Sequence, residues 1–229
     1  MALEYSNKEQ RLYFQLDFKA NKLFNYSSVE KEGYVEHTSD TGKVSYRLYV
    51  NRIIGYIEGG FFRENNFGGK DFVLLLRDGD ERYAIQMDVT GGLANGFARV
   101  IPNLDLSQKI IFSTGVYKNP DTKKEYLNVY VNYAEELTDE GKPKVVSWDK
   151  DVIPAPKKMK SGSYNFSEVE DAVYSLLEEL VEKLKDYQPV QNKESNNVSP
   201  KTQTETSTSE SKENDKVDDE EEDDMDLPF

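Results

Sequence analysis

Apolar and polar residues alternate along much of the chain between residues 33 and 134, and this pattern predicts a β domain. The alternation is most regular in residues 81–90 and 126–133. Successive side chains of a strand point to opposite faces, so a period of two is typical of half-buried strands. Further strands are predicted at residues 34–37, 44–57, 71–77 and 109–118, while residues 11–18 alternate weakly.

Turn signals separate these strands and set their order. Ser-Asp-Thr-Gly at residues 39–42 and Asp-Gly-Asp at 78–80 are typical of tight turns. We predict loops at residues 25–28 and 59–69, a short helix at 93–100 before Pro102, and a turn at 119–122. The resulting order is long strand, loop, strand, hairpin, strand, short helix, strand, loop, strand. This order favours an OB-fold, a five-stranded Greek-key barrel, over another small antiparallel barrel or sandwich.

An apolar stripe at three- and four-residue spacing predicts one amphipathic helix at residues 167–187. Its members are Val169, Val173, Leu176, Leu177, Leu180, Val181 and Leu184. Ser167 and Glu170 fit a capping box at its start, and Pro189 ends the segment. The stripe either docks on the β domain or pairs with a second copy, which makes a homodimer through residues 167–187 possible.

The last forty residues change character. Residues 189–217 contain almost nothing apolar, so they are predicted to form a disordered linker. An unbroken acidic run from Asp218 to Asp224 follows, and the chain closes on Leu-Pro-Phe. The predicted organisation is a β domain at 1–160 with core strands at about 33–134, a helical segment at 161–188, a linker at 189–217 and an acidic tip at 218–229.

This acidic terminus resembles that of the bacterial single-stranded-DNA-binding proteins, which typically end in Ile-Pro-Phe, and Leu227 replaces the usual isoleucine. Phage-encoded members often end in an acidic tail with a terminal aromatic, and the N-terminal part of this chain does not resemble the bacterial domain. A divergent, phage-type member is therefore indicated. The resemblance implies a role in DNA replication, recombination and repair, with a tip that recruits a polymerase, a helicase or primase, or a recombinase. The tip residues it assigns to partner binding are Asp223, Asp224, Asp226, Leu227, Pro228 and Phe229.

The net charge of −14 is concentrated at the C-terminal end. Residues 1–160 carry 23 basic and 23 acidic side chains, whereas residues 161–188 and 189–229 have net charges of −5 and −9. The overall acidity therefore does not exclude nucleic-acid binding by the β domain. A tethered polyanion would compete with DNA for a basic groove, so removing residues 218–229 is predicted to tighten DNA binding at low salt.

The composition disfavours an enzyme and a cofactor protein. The chain has no cysteine, a single histidine at position 37, no P-loop and no G-x-G-x-x-G, so neither a metal site nor a cofactor is predicted. Asp78 and Asp80 are explained by a hairpin turn, which leaves a carboxylate-based nuclease as the weaker alternative. No apolar run of membrane-spanning length and no signal peptide occur, so the expected location is cytoplasmic, in the host cytoplasm for a phage protein.

Single-stranded DNA is bound without sequence preference by stacking bases on aromatic rings and by neutralising phosphates with basic side chains. Aromatics on the polar phase of a strand or in the glycine-rich loop are the candidate platforms, together with the basic residues beside them. The predicted DNA-binding residues are Arg47, Tyr49, Phe61, Phe62, Arg63, Phe67, Lys70, Arg82, Tyr117, Lys118, Lys123, Lys124, Tyr126 and Tyr130. The alternative function is a non-enzymatic interaction adaptor whose acidic tail binds proteins or mimics DNA.

Overall fold

A computed structural model describes residues 11–118, 123 and 125–187, with the backbone alone at residues 125 and 126. Within these residues the protein is mainly β, with one large mixed sheet, a two-stranded ribbon and two helices. No helix in this part of the chain has the length and apolar character needed to cross a membrane. The predicted linker at 189–217 and tip at 218–229 lie outside the described residues.

The elements follow one another in a simple order. The strands are β1 (Leu12–Asp17), β2 (Lys22–Ser27), β3 (Val35–Thr38), β4 (Val44–Val50), β5 (Arg52–Glu64), β6 (Lys70–Asp78), β7 (Glu81–Asp88), β8 (Ile110–Lys118), β9 (Glu125–Leu137), β10 (Pro143–Val145), β11 (Lys157–Lys158) and β12 (Tyr164–Asn165). The helices are α1 (Gly92–Ala98) and α2 (Ser167–Lys185), and a short 3-10 turn spans Ile101–Asn103.

Ten strands form the sheet in the order β10-β9-β8-β5-β6-β7-β1-β2-β4-β3. All neighbouring strands in this sheet are antiparallel except β1 and β7, which run parallel along Leu12–Phe14. The sheet curls, since the Thr114 hydroxyl of β8 donates to the Asn21 carbonyl in the β1–β2 turn at 3.2 Å. Side chains inside the curl, among them Phe72, Phe97 and Phe112, build one hydrophobic core.

The thirteen-residue strand β5 connects two halves of the sheet. Its first residues, 52–55, pair with β8, whereas residues 56–64 pair with β6. At the crossing, a Cβ on Gly55 would lie 2.8 Å from the Arg77 carbonyl oxygen, so only glycine permits this approach of the backbones. A bulge between Ile57 and Gly59 adds one residue to β5, which reverses the phase of every later side chain.

Both helices cover the core. α1 lies close to β9, because a Cβ on Gly96 would be only 3.1 Å from Val129 Cγ2. The apolar stripe of α2 is buried in the core cluster, apart from partly buried Val181. The docked arrangement is therefore the one observed, and a homodimer through residues 167–187 stays a prediction that would need a different face of α2.

Several predicted boundaries are wrong for identifiable reasons. The capping box is absent: Phe166 occupies the N-cap, and the Ser167 hydroxyl donates instead to Asn165 Oδ1 at 2.9 Å. The predicted strand at 44–57 is divided between β4 and β5 at Asn51, and the predicted loop at 59–69 shortens to residues 65–69. Glycine suits the inside of β5, since a Cβ on Gly60 would lie 2.6 Å from Phe72 Cζ.

The N-terminal strands were also underestimated from the sequence. Residues 25–27, predicted as loop, belong to β2, and they add a hairpin to the sheet ahead of the expected core. Buried Asn25 is an unusual residue inside a strand, but both the nitrogen and the oxygen of its side-chain amide have a hydrogen-bond partner. It donates to the Tyr13 carbonyl at 2.7 Å and accepts from the Tyr34 hydroxyl at 2.5 Å. A buried polar group with such partners is compatible with a strand interior.

The crossing at Gly55 gives the first prediction. Gly55→Ala is expected to destabilise the protein by about 1–3 kcal/mol, because the backbone of β6 must move away from the new methyl group. The measurement is the urea midpoint of unfolding. Gly92→Ala is the matched control, since nothing lies within 4 Å of its Cβ position and it stands in a helix. A Gly55→Ala midpoint equal to that of the wild type would contradict the close crossing.

Candidate nucleic-acid interface

The sheet face opposite the core, called the outer face below, gathers aromatic and basic side chains from β5, β8 and β9. Cross-strand pairing places Arg52, Ser113 and Tyr130 in one row. Four residues further along β8, Tyr117 pairs with Tyr126. Tyr117 and Tyr130 are 44% and 39% exposed, which leaves much of each ring open to a ligand.

Tyr130 is supported from below by a glycine. A Cβ on Gly115 would lie 2.9 Å from Tyr130 Cε2, so the ring rests on the backbone of β8 where any other residue would lift it. The ring therefore combines a fixed position with an accessible surface. A pre-positioned, partly exposed aromatic is what a nucleobase stacks on at little entropic cost.

The outer face continues from β5 onto β6 and β7 as a group of arginines, called the arginine cluster below. Arg11, Arg82 and Arg77 surround Glu58 at N–O distances of 3.3, 3.6 and 4.0 Å. Three guanidinium groups thus gather around the Glu58 carboxylate and concentrate basic side chains on this part of the surface. Tyr56 links the two regions, because it pairs with Arg77 and follows Arg52 on the same phase of β5.

Neighbouring side chains cover the centre of this face. Val73 and Ala84 lie on the outward phase of β6 and β7, yet both are fully buried. Phe61 is paired with Val73 and is 38% exposed, so it adds a third accessible aromatic ring to the outer face.

Phe62 does not belong to this face. Its ring stacks on Tyr174 of α2 with centroids 4.6 Å apart and contacts Phe72 edge-on at 5.3 Å. Residues 59–69 were predicted as a loop, but β5 continues to Glu64, and its bulge turns Phe62 inward and Phe61 outward. Phe62 therefore fastens α2 to the sheet. Lys70 belongs to the same region, with its ammonium 4.8 Å from the Tyr174 ring centroid.

Arg47 and Tyr49 are likewise engaged inside the protein. Arg47 Nη1 and the Tyr49 hydroxyl both donate to Asp17 Oδ2, at 2.6 and 2.8 Å. The other oxygen, Asp17 Oδ1, accepts from the backbone N–H groups of Lys19 and Ala20 at 2.9 and 3.1 Å. These two predicted DNA ligands instead hold the turn between β1 and β2.

The remaining predicted residues fall into three groups. Lys118 is exposed at the end of β8 beside Tyr117, and Lys123 is exposed in the β8–β9 connection. Arg63 lies near Asp71 at 3.7 Å, and Phe67 is 97% exposed in the turn at residues 65–69. Lys124, the Tyr126 side chain and the tip residues 223–229 lie outside the described residues.

Sequence reasoning therefore finds part of this interface and misses part. The outer face brings together Phe61, Arg82, Tyr117 and Tyr130 of the predicted set, whereas Lys118 lies on the opposite phase of β8. Arg11 and Glu58 were missed. Arg11 reaches the cluster only because β1 pairs with β7, and Glu58 faces outward at the bulge, features that alternation within a single strand does not reveal.

Asp17 gives a prediction about pH. Burial opposes its ionisation, but hydrogen bonds from Ala20, Tyr49 and Lys19 and the charge of Arg47 outweigh burial and lower the pKa of Asp17. A lowered folded-state pKa contributes stability above the ordinary Asp value of about 3.9, and this stability is lost as the pH falls through the folded-state pKa. Asp17→Asn is thus expected to destabilise the protein by about 1.5–3 kcal/mol near neutral pH.

Urea midpoints of Asp17→Asn and the wild type, measured at about pH 7 and about pH 3, check this expectation. The difference should shrink at the lower pH, where the wild-type carboxyl approaches protonation. Asp40→Asn is the control, because Asp40 lies in the exposed turn before β4. A constant difference between Asp17→Asn and the wild type at both pH values would show that Asp17 acts through packing and not through charge.

Comparison with protein-family models, with curated proteins and with solved structures finds no match to this chain. No activity is therefore transferred from a relative. The functional conclusion rests on two observations: the exposed rings of Tyr117 and Tyr130, and the arginine cluster on the same face.

Proposed function

We propose that the protein binds single-stranded DNA without sequence preference along its outer face. The observation that carries this proposal is the continuous row of groups from Tyr117 and Tyr130 through Arg52 and Tyr56 to the arginine cluster. Bases of an unpaired strand stack on the rings, while the arginines neutralise phosphates. In a duplex the base faces are stacked on neighbouring base pairs and cannot stack on protein rings, so the exposed tyrosines favour a single strand.

The carboxylate of Glu58 has a specific part in this proposal. Without DNA it spaces the three guanidinium groups by pairing with each of them. Phosphates of a bound strand then join the Glu58 carboxylate as acceptors for these guanidinium groups. Arginine suits this task because its planar group binds two anions at once through different N–H donors.

The architecture supports the same proposal. Strands β5 to β9 lie in the order β9-β8-β5-β6-β7, and α1 stands between β7 and β8 in the sequence. This is the strand order of an OB-fold barrel opened between its third and fifth strands. We infer an OB-type domain in which β1 takes the edge of β7 that the fifth strand takes in a closed barrel.

The acidic terminus completes the proposal. The sequence from Asp223 to Phe229 resembles the tip of single-stranded-DNA-binding proteins, which supports a divergent phage-type member that acts in replication, recombination and repair. Its partners are then a polymerase, a helicase or primase, or a recombinase, recruited through Leu227, Pro228 and Phe229. The protein would coat DNA in the host cytoplasm and catalyse no reaction.

Substitution of Tyr130 tests the stacking contribution. Tyr130→Ala is expected to weaken binding of labelled oligo-dT by about 1–3 kcal/mol, the usual value of one stacked base. Tyr130→Phe keeps the ring and should retain near wild-type affinity. Fluorescence anisotropy gives the dissociation constants, and Tyr164→Ala, 54% exposed on the β11–β12 ribbon, is the matched control. If Tyr130→Ala and Tyr164→Ala bind equally well, Tyr130 is not a platform.

The charge contribution is tested with salt and with a 1–217 truncation. Binding should weaken as salt rises, with a log–log slope of roughly −2 to −3, since three or four arginines each neutralise one phosphate. Arg52→Ala should make the slope shallower by about 0.7, whereas Lys142→Ala, on the exposed loop between β9 and β10, should leave it unchanged.

The truncation should bind more tightly than the full chain at low salt, because the tail with net charge −9 at residues 189–229 loses its acidic run. The two forms should converge at high salt. If neither the full chain nor the truncation binds the oligonucleotide, the alternative function is favoured: an interaction adaptor whose acidic tail is itself the binding element.

A further inference from the structure

At the β5–β6 turn, beyond the arginine cluster, two exposed phenylalanines border one cleft. Phe18 in the β1–β2 turn is 71% exposed, and Phe67 in the turn at residues 65–69 is 97% exposed. Both line the same cleft of about 290 Å³, whose floor includes Met87 and Leu93. Single exposed apolar side chains are common on protein surfaces, but two exposed rings that line one cleft form a candidate site for a flat ligand.

Both rings are presented by turns that side chains hold rigid. Asn65 Oδ1 accepts from the N–H groups of Phe67 and Gly69 at 3.0 and 2.9 Å, and its amide donates to Asp71 at 3.2 Å. Asp17 holds the turn of Phe18 in the same manner, with Arg47 and Tyr49 fixing the carboxylate. The rings are therefore pre-positioned, and a ligand that stacks on them loses little conformational entropy to the protein.

The polar wall of the cleft consists of amides and carboxylates. Gln15 donates to Gln86 at 3.2 Å, Gln86 donates to Asp71 at 2.5 Å, and Asn65 donates to the other oxygen of Asp71. The amides of Gln86 and Asn65 thus both donate to Asp71, while Gln15 donates to Gln86. Exposed Asp88, paired with Asp71 across β6 and β7, adds a second carboxylate to the wall.

This chemistry selects the ligand. Among the described residues, the lining of the cleft has two carboxylates and no lysine or arginine, which disfavours a phosphate. Asp71 is 3% exposed and already accepts from Gln86 and Asn65, with Arg63 3.7 Å away, so Asp88 is the accessible carboxylate. The aromatic borders accept a flat ring, and Asp88 accepts a hydrogen bond from an amino group. An unpaired base with an exocyclic amino group, such as cytosine, meets both conditions, whereas thymine presents a carbonyl oxygen at the same position.

The position of the cleft fits a bound strand. Gln86 follows Arg82 by four residues on the same phase of β7, a separation of about 13 Å along the strand. A strand whose phosphates lie on the arginine cluster therefore extends into the cleft. We propose that the Phe18–Phe67 cleft takes one amino-bearing base of the bound single strand, and that this one position favours cytosine over thymine while the rest of the outer face binds without sequence preference. This inference rests on the proposed function.

Anisotropy titrations with labelled oligo-dC and oligo-dT of equal length test the proposal, at mildly alkaline pH where cytosine is unprotonated. The full-length wild type is expected to bind oligo-dC about tenfold or more tightly than oligo-dT, the usual effect of one hydrogen bond to a charged acceptor. Phe18→Ala and Phe67→Ala should each weaken oligo-dC binding at least fivefold, the lower value for a stacked base. Asp88→Asn should reduce the difference between the dissociation constants for oligo-dC and oligo-dT.

Phe166→Ala is the matched control, because Phe166 is 50% exposed and borders a different groove beside α2. Its affinities should equal those of the wild type, and thermal midpoints should show that every variant is folded. Equal wild-type affinity for the two oligonucleotides overturns the proposal, as does unchanged oligo-dC binding by both phenylalanine variants. If the wild type binds neither oligonucleotide, the proposed function has failed and the cleft proposal fails with it.

Discussion

The outer face depends on one strand with two sets of partners. β5 pairs with β8 through residues 52–55 and with β6 through residues 56–64. Gly55 lets the backbones cross, and the bulge before Gly59 then changes which side chains face outward. Without the crossing, the tyrosines of β8 and β9 would belong to a different surface from the arginine cluster. Without the bulge, Phe61 would be buried and Phe62 exposed. A local distortion of a regular strand thus assembles the candidate interface.

Polar side chains stabilise two turns that lie outside the hydrophobic core. Asp17 and Asn65 each fix a turn by accepting hydrogen bonds from its backbone N–H groups. A buried carboxylate is costly unless several donors satisfy it, and Arg47 and Tyr49 supply those donors to Asp17. The stability of the sheet edge and the presentation of an exposed ring therefore rest on the same few contacts. Basic and aromatic residues that look like ligands in the sequence serve here as supports.

The sequence predicts the regular parts of the molecule well. Strict alternation identified β7 and most of β9, and the apolar stripe identified α2. The phase of Tyr117 and Tyr130 was read correctly because no bulge interrupts β8 or the part of β9 that pairs with it. The inward position of Phe62 was not predicted, because residues 59–69 were predicted as a loop and neither the end of β5 at Glu64 nor its bulge is visible in the pattern. The contact of Arg47 with Asp17 was not predicted either, because Asp17 lies 30 positions earlier and a local pattern contains no information about such a contact.

The parallel pairing of β1 with β7 has a consequence for how the chain acquires its structure. Gln15 and Gln86, which bond across this pair, are 71 positions apart. Bringing such distant segments together costs loop-closure entropy, and contacts of this kind slow folding. On the ribosome, β1 emerges before β7 and has no partner on this edge until β7 has been synthesised. The arginine cluster therefore cannot form before β7 ends at Asp88, and the cleft cannot form before Leu93 has been added.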